Sequence, residues 1–521
     1  MKPIDEPGFT HVELFAGIGG FRLALDAAGG RCVGFSEINR DAIATYCENF
    51  LEDPDSNLGD ITKITRLPPH DVLTAGVPCQ SWSIAGRNLG FDDDRGQLWN
   101  DTLFLLHQTQ PKVFIFENVK GLADPRNQEA LAYILDRIRQ AGYFARPLVI
   151  NSSDYGVPQD RVRIYIVGFR DKAFFDRFEP PPPQARPWQL QDVLGLEAAQ
   201  AKATPKPDCI DQQEGFDLFG QPMATGRSHS RPGTRNDFFL FNDIRNGPTT
   251  IHSWDLKPTT ERQKDICLLI LRNRRKKAFG LLDGNPLSLE HLRGLDPSIE
   301  ERELEALVAL GILKKVAYGF SAVEGAKPLN EQQILVMEQV LAGHRSLDAL
   351  RECRSIKLAR LSLEKTLAVM LENDLLCCVE MRYEFRYTKI STGIDGINRI
   401  FLPHSKVFPT LVASDANDFV ALRDIEAASA QEYKRKFLDE IFKPGLFRKI
   451  NKAEACRIQG FPTDFRLPEA RSRWMKLLGN SVSVPVIQAL IHAIARTGCL
   501  VNAPAAQAAA MPRLEITEVA A

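Results

Sequence analysis

Short apolar runs alternate with amphipathic stretches along the first third of the chain. The runs have the length and the β-branched and aromatic content of buried strands, and the stretches near 98–107 and 129–141 have helical spacing. This alternation predicts an α/β fold with a doubly wound sheet and a βαβα order throughout. The predicted strands are HVELF, RCVGFSEI, DVLTAGVP, KVFIFENV and RVRIYIVGF.

A glycine-rich turn follows the first predicted strand. Gly17, Gly19 and Gly20 lie in FAGIGG, directly before a helical stretch. The next strand-like run ends in Glu37, about twenty residues later, where a dinucleotide-type site places the carboxylate that accepts ribose hydroxyls. Asp60 ends the following segment. The pattern favours a nucleotide-type cofactor, although an ordinary strand–helix turn would look the same.

Two chemically active side chains follow strand-like runs. Cys79 comes directly after Val77-Pro78 and before a polar, glycine-containing stretch of the kind that closes over a substrate, and Glu117 lies at the end of KVFIFENV. Because ligands bind at the carboxyl ends of strands in such sheets, we expect the two side chains to share one pocket. A lone cysteine is more often an apolar packing residue, but this position favours a nucleophile.

Composition narrows the class of protein. Charged residues make up 25% of the chain, hydrophobic residues 44%, and the formal net charge is -1, as in a folded soluble protein without bulk affinity for nucleic acid. The ten cysteines form neither C-x-x-C pairs nor a cluster with histidines, so we expect no disulfide framework and no metal. The absence of a signal-like start and of a membrane-spanning run predicts a cytoplasmic protein.

Six motifs occur in the order found in one enzyme family: FAGIGG, PCQ, FENV, the Q-x-R-x-R of 159–163, QGFP and GNSV. Together they resemble the DNA cytosine-5 methyltransferases, in particular those of bacterial restriction–modification systems. The resemblance covers 12–169 and returns for 448–490. It implies a Rossmann-like S-adenosylmethionine-dependent methyltransferase fold with a second, smaller target-recognition domain.

The resemblance implies a covalent mechanism. Cytosine C5 is a poor nucleophile, so the Cys79 thiolate would add to C6 and activate C5 toward a methyl donor. Glu117 would relieve the charge that develops at N3, and Arg163, with Arg161, would hold the cytosine O2 and the loop geometry. A base inside a duplex cannot reach the thiol, so the target nucleotide would be flipped out.

The resemblance also implies the cofactor site, which would bind S-adenosyl-L-methionine and release S-adenosyl-L-homocysteine. Glu37 would take the ribose, and Asp60 would lie near the adenine. One departure is Ile38, where many members carry an aromatic residue, so apolar packing would replace stacking on the adenine. The predicted cofactor-binding residues are Phe15, Ala16, Gly17, Gly19, Gly20, Glu37, Ile38, Asp60, Ile61, Pro78, Asn480 and Val482.

The expected domain organisation follows from the motif order. A first catalytic part (1–179) ends at a proline-rich linker, a recognition region (180–445) follows, a return segment (446–500) completes the catalytic domain, and 501–521 forms a loosely attached tail. Within the recognition region, 261–395 reads as a weak internal repeat of two helical segments followed by a β-like pair, the order of a winged-helix unit. Purely structural helical hairpins are the alternative.

Individual residues in the recognition region suggest contacts. The run RNRRKK (272–277) could touch phosphates, Arg399 a base or phosphate, and Thr410 and Leu411 could frame the flipped base. The expected partner is double-stranded DNA, bound by a monomer that protects sites from a separate cognate restriction endonuclease. An RNA cytosine-5 methyltransferase and a catalytically silent DNA-binding protein remain as alternatives, although a mere binder would not need Cys79, Glu117 and Arg163 together.

Overall fold

The computed structural model describes most of the chain. The described residues are 8–78, 98–183, 190–195, 251–280, 284–325, 362–386, 399–405 and 407–500, with the short segments 215–216, 222–223, 237–239 and 333–334 and the single residues 327, 330 and 397. Cys79 and the stretch that follows it, to residue 97, lie outside this set, as do most of 196–250, 335–361 and the tail.

A six-stranded sheet forms the centre of the catalytic part, in the order β2-β1-β3-β4-β7-β5. Strands β1 to β4 are parallel, and β7 runs antiparallel to both of its neighbours. The strands are β1 (Phe9–Leu14), β2 (Gly30–Ser36), β3 (Val72–Gly76), β4 (Val113–Val119), β5 (Phe144–Asn151) and β7 (Val162–Phe169), with the short β6 (Gln159–Asp160) between the last two.

Helices cover both faces of the sheet. Along β4, Val113 and Ile115 face one core and Phe114 and Phe116 face the other, which is why this strand is apolar at consecutive positions. The helices of the first catalytic part are α1 (Gly20–Ala27), α2 (Arg40–Phe50), α3 (Leu98–Thr109), α4 (Gln128–Gln140) and α5 (Lys172–Arg177). Helices α3 and α4 share the core of Phe114 and Phe116.

The predicted βαβα order is wrong at the end of the sheet. Strand β5 was not predicted, and its connection to β7 contains no α-helix but a short turn at Ser152–Tyr155. A connection without a crossover helix joins antiparallel neighbours, so β7 reverses direction. Strand β5 is an edge strand, which explains how it accommodates Pro147.

In its described residues the recognition region contains three small sheets and several helices, and one further strand pairs with β6 of the catalytic part. Strands β8 (Gly215–Phe216) and β9 (Pro222–Met223) pair with each other, while β10 (Asp237–Phe239) joins a four-stranded sheet with β13, β15 and β16. Helices α6 to α10 and strands β11 to β16 follow in the chain. They are α6 (Glu261–Asn273), α7 (Leu289–Leu295), α8 (Glu301–Ala309), β11 (Leu313–Ala322), α9 (Ser362–Glu372), β12 (Leu376–Phe385), β13 (Arg399–Phe401), β14 (Phe408–Pro409), β15 (Asp418–Ala421), α10 (Ala430–Phe437) and β16 (Phe447–Arg448).

The internal repeat folds differently from two successive units. Each repeat contributes a helix and one long strand, α8 with β11 and α9 with β12, and these two strands pair with each other as one antiparallel hairpin. Leu287 bridges to Tyr383 of β12, so α6, α7 and α8 share one apolar core with the start of β11 and the end of β12. Within the described residues, the expectation that each repeat carries its own β-like pair is therefore wrong, because the strands of the two repeats pair with each other.

The return segment packs back onto the sheet. It consists of α11 (Lys452–Gln459), α12 (Arg471–Asn480) and α13 (Val484–Arg496), and α13 shares the core of α1. The stretch Arg471–Arg496 is long and apolar enough to cross a membrane by length and composition, but 72% of its apolar window is buried inside the protein. Burial of this kind is typical of a core helix.

Candidate active site

The glycine-rich turn has the backbone conformation that the sequence suggests. Phe15, Gly17 and Gly19 have φ values of 54°, 57° and 84°, a left-handed region in which glycine is favoured and Phe15 is unusual. The Ala16 N–H donates to the Ser36 carbonyl at 2.9 Å, which ties the turn to the end of β2. A Cβ on Gly17 would meet nothing within 4 Å, so the turn faces open space.

Gly20 is needed for a close approach of the return segment. A Cβ at this position would lie 2.7 Å from the Ser481 Oγ and 2.8 Å from a Val482 methyl carbon. The turn after α12 therefore sits directly on the start of α1. Val482 is buried there, while Asn480, at the end of α12, is exposed.

Glu37 is held by the backbone at the edge of this turn. Its carboxylate accepts hydrogen bonds from the N–H groups of Gly17, Ile38 and Asn39, each at 2.8 Å. The Asn57 side chain supports the same region, since its oxygen accepts from the Glu37 N–H at 3.0 Å and its nitrogen donates to the Glu37 carbonyl at 2.9 Å. A carboxylate with four lone-pair positions and three donors keeps capacity for a ribose hydroxyl.

The residues predicted to surround the adenine lie beside Glu37. Ile38 is 72% exposed. The Asp60 carboxylate accepts from the Thr62 backbone N–H at 3.1 Å and hydroxyl at 2.9 Å, and these hydrogen bonds hold the pKa of Asp60 below its ordinary value. Ile61 is buried beneath this turn.

Glu117 and Arg163 form an ion pair at the carboxyl end of β4. The Arg163 Nε lies 3.1 Å from Glu117 Oε1, and both side chains are largely buried. Neighbouring Asn118 donates from its side chain to the Val77 carbonyl at 3.2 Å, which fixes the end of β3 just before Pro78. The ion pair thus lies beside the point where the chain leads into Cys79.

The glycine-rich turn and the ion pair converge at Gly76. In the β3–β4 register Gly76 lies opposite Glu117. A Cβ on Gly76 would lie 3.9 Å from the Phe15 carbonyl oxygen and 4.0 Å from a Glu117 carboxylate oxygen. Gly76 therefore lies between the glycine-rich turn, which follows β1 on one side of β3, and the predicted acid on β4 on the other side.

Arg161 does not make the same contact as Arg163. Its guanidinium is 3% exposed and donates to the carbonyls of Leu411, Gly479 and Ser481 at 3.4, 3.2 and 2.6 Å. Arg161 therefore binds backbone segments that surround the site. Thr410 lies nearby, where its hydroxyl donates to the Asp160 carbonyl at 2.6 Å and β14 pairs with β6.

Some of the candidate DNA-contacting side chains are exposed, whereas others are buried or form ion pairs within the protein. Arg399 forms a two-point ion pair with Asp418, at 2.8 and 3.0 Å. Of the basic run, Arg274 is buried, whereas the side chains that remain exposed at the end of α6 are Arg272, Arg275, Lys276 and Lys277. Only the exposed members have the access that a phosphate contact requires.

Two site residues were missed by sequence reasoning, although both lie in quoted motifs. Gln159 begins Q-x-R-x-R and Gln459 begins QGFP; both are fully buried, and the Gln159 amide donates to the Gln459 side-chain oxygen at 2.8 Å. Gln459 in turn donates to the carbonyls of Ser481 and Val482 at 2.9 and 3.1 Å. A glutamine at the head of each motif was the available signal.

A buried carboxyl group, Glu13, lies under the glycine-rich turn on β1. Its side chain is fully buried, and this burial raises the pKa of Glu13 to about 8. The unfolded chain ionises this carboxyl group near its ordinary pKa of 4.5. Between these two values the folded state binds more protons than the unfolded state, so stability is full below the lower value and is lost as pH rises through the upper one.

We expect the Glu13→Gln variant to lose less stability than the parent protein between pH 5 and pH 8.5. The raised pKa corresponds to at most about 5 kcal/mol of pH-dependent unfolding free energy, which the amide removes. Thermal unfolding across this pH range measures the difference. The exposed Glu129→Gln serves as the control, and equal pH slopes for Glu13→Gln and the control would contradict the assignment.

Comparison with known proteins identifies the class. The model of the C-5 cytosine-specific DNA methylase family matches residues 9–281 and 382–496. The type II methyltransferase M.HgiBI of Herpetosiphon aurantiacus is 41% identical over 93% of this chain and 96% of its own length. M.BanI of Aneurinibacillus aneurinilyticus is 28% identical over 92% of this chain and 94% of its own length.

A solved structure also aligns with nearly the whole chain. A putative DNA modification methyltransferase encoded within an Escherichia coli prophage covers 94% of this chain and 99% of its own, at 18% identity and a TM-score of 0.43. The family assignment rests on the sequence matches. The chain belongs to the C-5 cytosine-specific DNA methylase family, and it is a DNA cytosine-5 methyltransferase.

Proposed function

We propose that this enzyme transfers a methyl group from S-adenosylmethionine to C5 of a flipped-out cytosine in a short duplex DNA sequence, through a covalent bond between Cys79 and C6. The observation that supports this most directly is the position of Gly76 between the Phe15 carbonyl and the Glu117 carboxylate, each about 4 Å from where its Cβ would lie. Methyl transfer needs donor and base to meet at such a point. Cys79 follows Gly76 by three residues.

The residues at the turn suit the proposed donor. S-adenosylmethionine supplies an electrophilic methyl group when bound. The open turn from Phe15 to Gly20 would receive the methionine part, Glu37 the ribose hydroxyls, and Asp60 the adenine, with Ile38 against its ring. The remaining walls would be Ala16, Ile61, Pro78, Asn480 and Val482. The polar atoms that face this space are backbone groups and carboxylates, which suits a cationic sulfonium compound.

We expect Glu37→Gln to weaken binding of S-adenosylhomocysteine by about tenfold or more, since hydrogen bonds to a charged group contribute about 1.5–3 kcal/mol. An amide would also place a nitrogen against the N–H donors of Gly17, Ile38 or Asn39. Isothermal titration calorimetry measures the affinity. Glu48→Gln, on the exposed face of α2, is the control, and unchanged affinity in Glu37→Gln would remove Glu37 from the cofactor site.

On the base, each of the three site residues has a separate task. The Cys79 thiolate forms a bond to C6, which shifts electron density toward N3 and makes C5 nucleophilic. Glu117 supplies a proton at N3, and Arg163, held against Glu117, donates to O2. After methylation, loss of the C5 proton to a base breaks the bond between sulfur and C6 and restores the thiolate, and the proton at N3 returns to Glu117.

We assign a positioning role to Arg161. Its donors are directed to the Leu411, Gly479 and Ser481 carbonyls, and these groups frame the site rather than face the base. In the recognition region, the exposed cations at the end of α6 would bind phosphates, which gives affinity without sequence preference. We further propose that the protein acts as a monomer in the cytoplasm and is the modification enzyme of a type II restriction–modification system.

An RNA substrate is the competing proposal for the same chemistry. A transfer assay with radiolabelled S-adenosylmethionine distinguishes the two, using unmethylated bacterial genomic DNA in one arm and total transfer RNA in the other. We expect label in C5 of DNA cytosines and none in RNA above the Cys79→Ser background. Label confined to RNA would replace the DNA proposal, and label in neither would favour a silent DNA-binding protein.

A further inference from the structure

Three segments that are far apart in the sequence meet at one buried point beside the site. They are Gln159–Arg161, the segment 411–413, and the turn 479–482 after α12. Residues 411–413 belong to a stretch of the recognition region, Phe408–Ala421, that we call the closing segment. The side chains that join the three segments are Arg161, Gln159 and Gln459, and all three are buried. We call this set of residues the junction.

Arg161 links two of these segments with one guanidinium. It donates to the Leu411 carbonyl on one side and to the Gly479 and Ser481 carbonyls on the other. Gly479 lies in the last turn of α12, where the helix dipole favours a cation. A single buried charge therefore holds the segment 411–413 and the turn 479–482 at a fixed separation.

The backbones of the two segments also touch directly. A Cβ on Gly479 would lie 2.7 Å from the Ala413 nitrogen and 2.7 Å from the Val412 carbonyl carbon. Because this contact is between backbones, a shift of the turn after α12 displaces residues 412–413 as well. Glycine is the residue that permits such an approach.

Gln459 links the same turn to β6, the short strand directly before Arg161. It donates to the carbonyls of Ser481 and Val482 and accepts from Gln159, the first residue of β6. Strand β6 pairs in turn with β14 at Phe408–Pro409. The hydrogen bond between Gln159 and Gln459 therefore provides a second connection between the turn 479–482 and the recognition region.

The other side of the turn faces the proposed cofactor site. Ser481 and Val482 lie so close to Gly20 that a Cβ there would fall 2.7 and 2.8 Å from their side-chain atoms. Contacts therefore run without a gap from the glycine-rich turn, through 481–482 and the junction, to the segment 408–413. A change at one end has a packed route to the other.

We propose that Arg161 and Gln459 are positioning residues that couple cofactor binding at the glycine-rich turn to the placement of the recognition region's closing segment, Phe408–Ala421. The inference rests on the proposed function, since it takes S-adenosylmethionine as the ligand of that turn. Coupling of this kind is reciprocal, so DNA held by the closing segment tightens cofactor binding by the same factor.

Hydrogen exchange of the full-length protein with and without S-adenosylhomocysteine tests the coupling without DNA. In the parent protein we expect the ligand to slow exchange both in Phe15–Gly20 and in Phe408–Ala421, the latter by about fivefold or more. Gln459→Met keeps the side-chain length and removes the amide; protection should persist at the turn and be lost in the closing segment. Arg161→Met should behave in the same way.

Asn285→Leu is the matched control, because Asn285 is also a buried amide that donates to two backbone carbonyls, those of Arg274 and Gly280, away from the junction. In Asn285→Leu the ligand should slow exchange in the closing segment as much as it does in the parent protein. Full transmission in Gln459→Met would overturn the proposal, as would protection confined to the turn in the parent. If Arg161→Met does not fold, Gln459→Met decides. No protection at the turn in the parent would instead contradict the proposed function.

Discussion

The Cys79→Ser variant should show methyl transfer reduced by more than about a thousandfold, with S-adenosylhomocysteine affinity unchanged. A serine hydroxyl is too weakly acidic to supply the nucleophile that a thiolate provides, and C5 stays unreactive without addition at C6. The proposed cofactor residues other than Pro78 lie on other segments, around Glu37 and Val482, and Pro78 itself is unchanged in the variant. Single-turnover transfer to unmethylated DNA measures the rate, and calorimetry measures the affinity.

A second experiment with the same variant isolates the covalent step. DNA containing 5-fluorocytosine has no C5 proton to lose, so the parent protein should accumulate a complex that resists denaturation, and Cys79→Ser should form none. A second cysteine variant, Cys47→Ser on α2, controls for the replacement of a thiol elsewhere in the chain. Normal turnover by Cys79→Ser would remove the cysteine from the mechanism.

The second large effect is expected for Glu117→Gln. We predict a kcat lower by about 10²- to 10⁴-fold, the range in which a positioned acid contributes, with S-adenosylhomocysteine affinity changed less than about threefold. The amide cannot supply the proton at N3, and it loses the ion pair with Arg163. Pre-steady-state kinetics on DNA separate the chemical step from binding.

Glu454→Gln is the control for the loss of a buried ion pair. Glu454 is 1% exposed and pairs with Arg448 at 2.6 Å, away from Gly76. If Glu454→Gln lowers kcat as much as Glu117→Gln does, the effect reports a general loss of stability rather than acid catalysis. A Glu117→Gln enzyme with the parent's kcat would contradict the role directly.

The centre of the fold was predictable because its strands carry strong local patterns. Strand β4 is apolar at consecutive positions, since Phe114 and Ile115 face different cores. Strand β5 is at the sheet edge and carries Pro147, so its pattern is weak and it was missed. The reversal of β7 was missed for a related reason, because periodicity reports which residues are buried and not the direction of a strand. The stretch SSDYGVPQD between β5 and β7 held the turn signals that could have indicated it.

The site was predictable where spacing alone determines the arrangement. The distance from the glycine-rich turn to Glu37 follows from one strand–helix–strand unit, and the structure makes that contact at 2.8 Å. The partners of Arg161 could not be predicted in this way, because Leu411 and Ser481 are hundreds of residues away in the sequence. Only the folded chain brings those carbonyls together. The pairing of Gln159 with Gln459 could not be predicted for the same reason, because the two residues are also far apart in the sequence.

The repeat in the recognition region shows a third limit. Both copies were recognised as helical segments followed by β-like sequence, but sequence similarity does not say which strands pair. Strand β11 comes from the first copy and β12 from the second, and the two strands pair with each other. Tyr383 of β12 packs in the same core as α8. The recognition region therefore gains one long hairpin where two short ones were expected.

The most direct test of the proposed activity is a genome-wide map of 5-methylcytosine in a methylation-deficient bacterial host that expresses this chain, beside a host that expresses Cys79→Ser. We predict methylated cytosines at one short sequence motif with the parent protein and none with the variant. Absence of 5-methylcytosine from both genomes, or equal maps for the two proteins, would contradict the account.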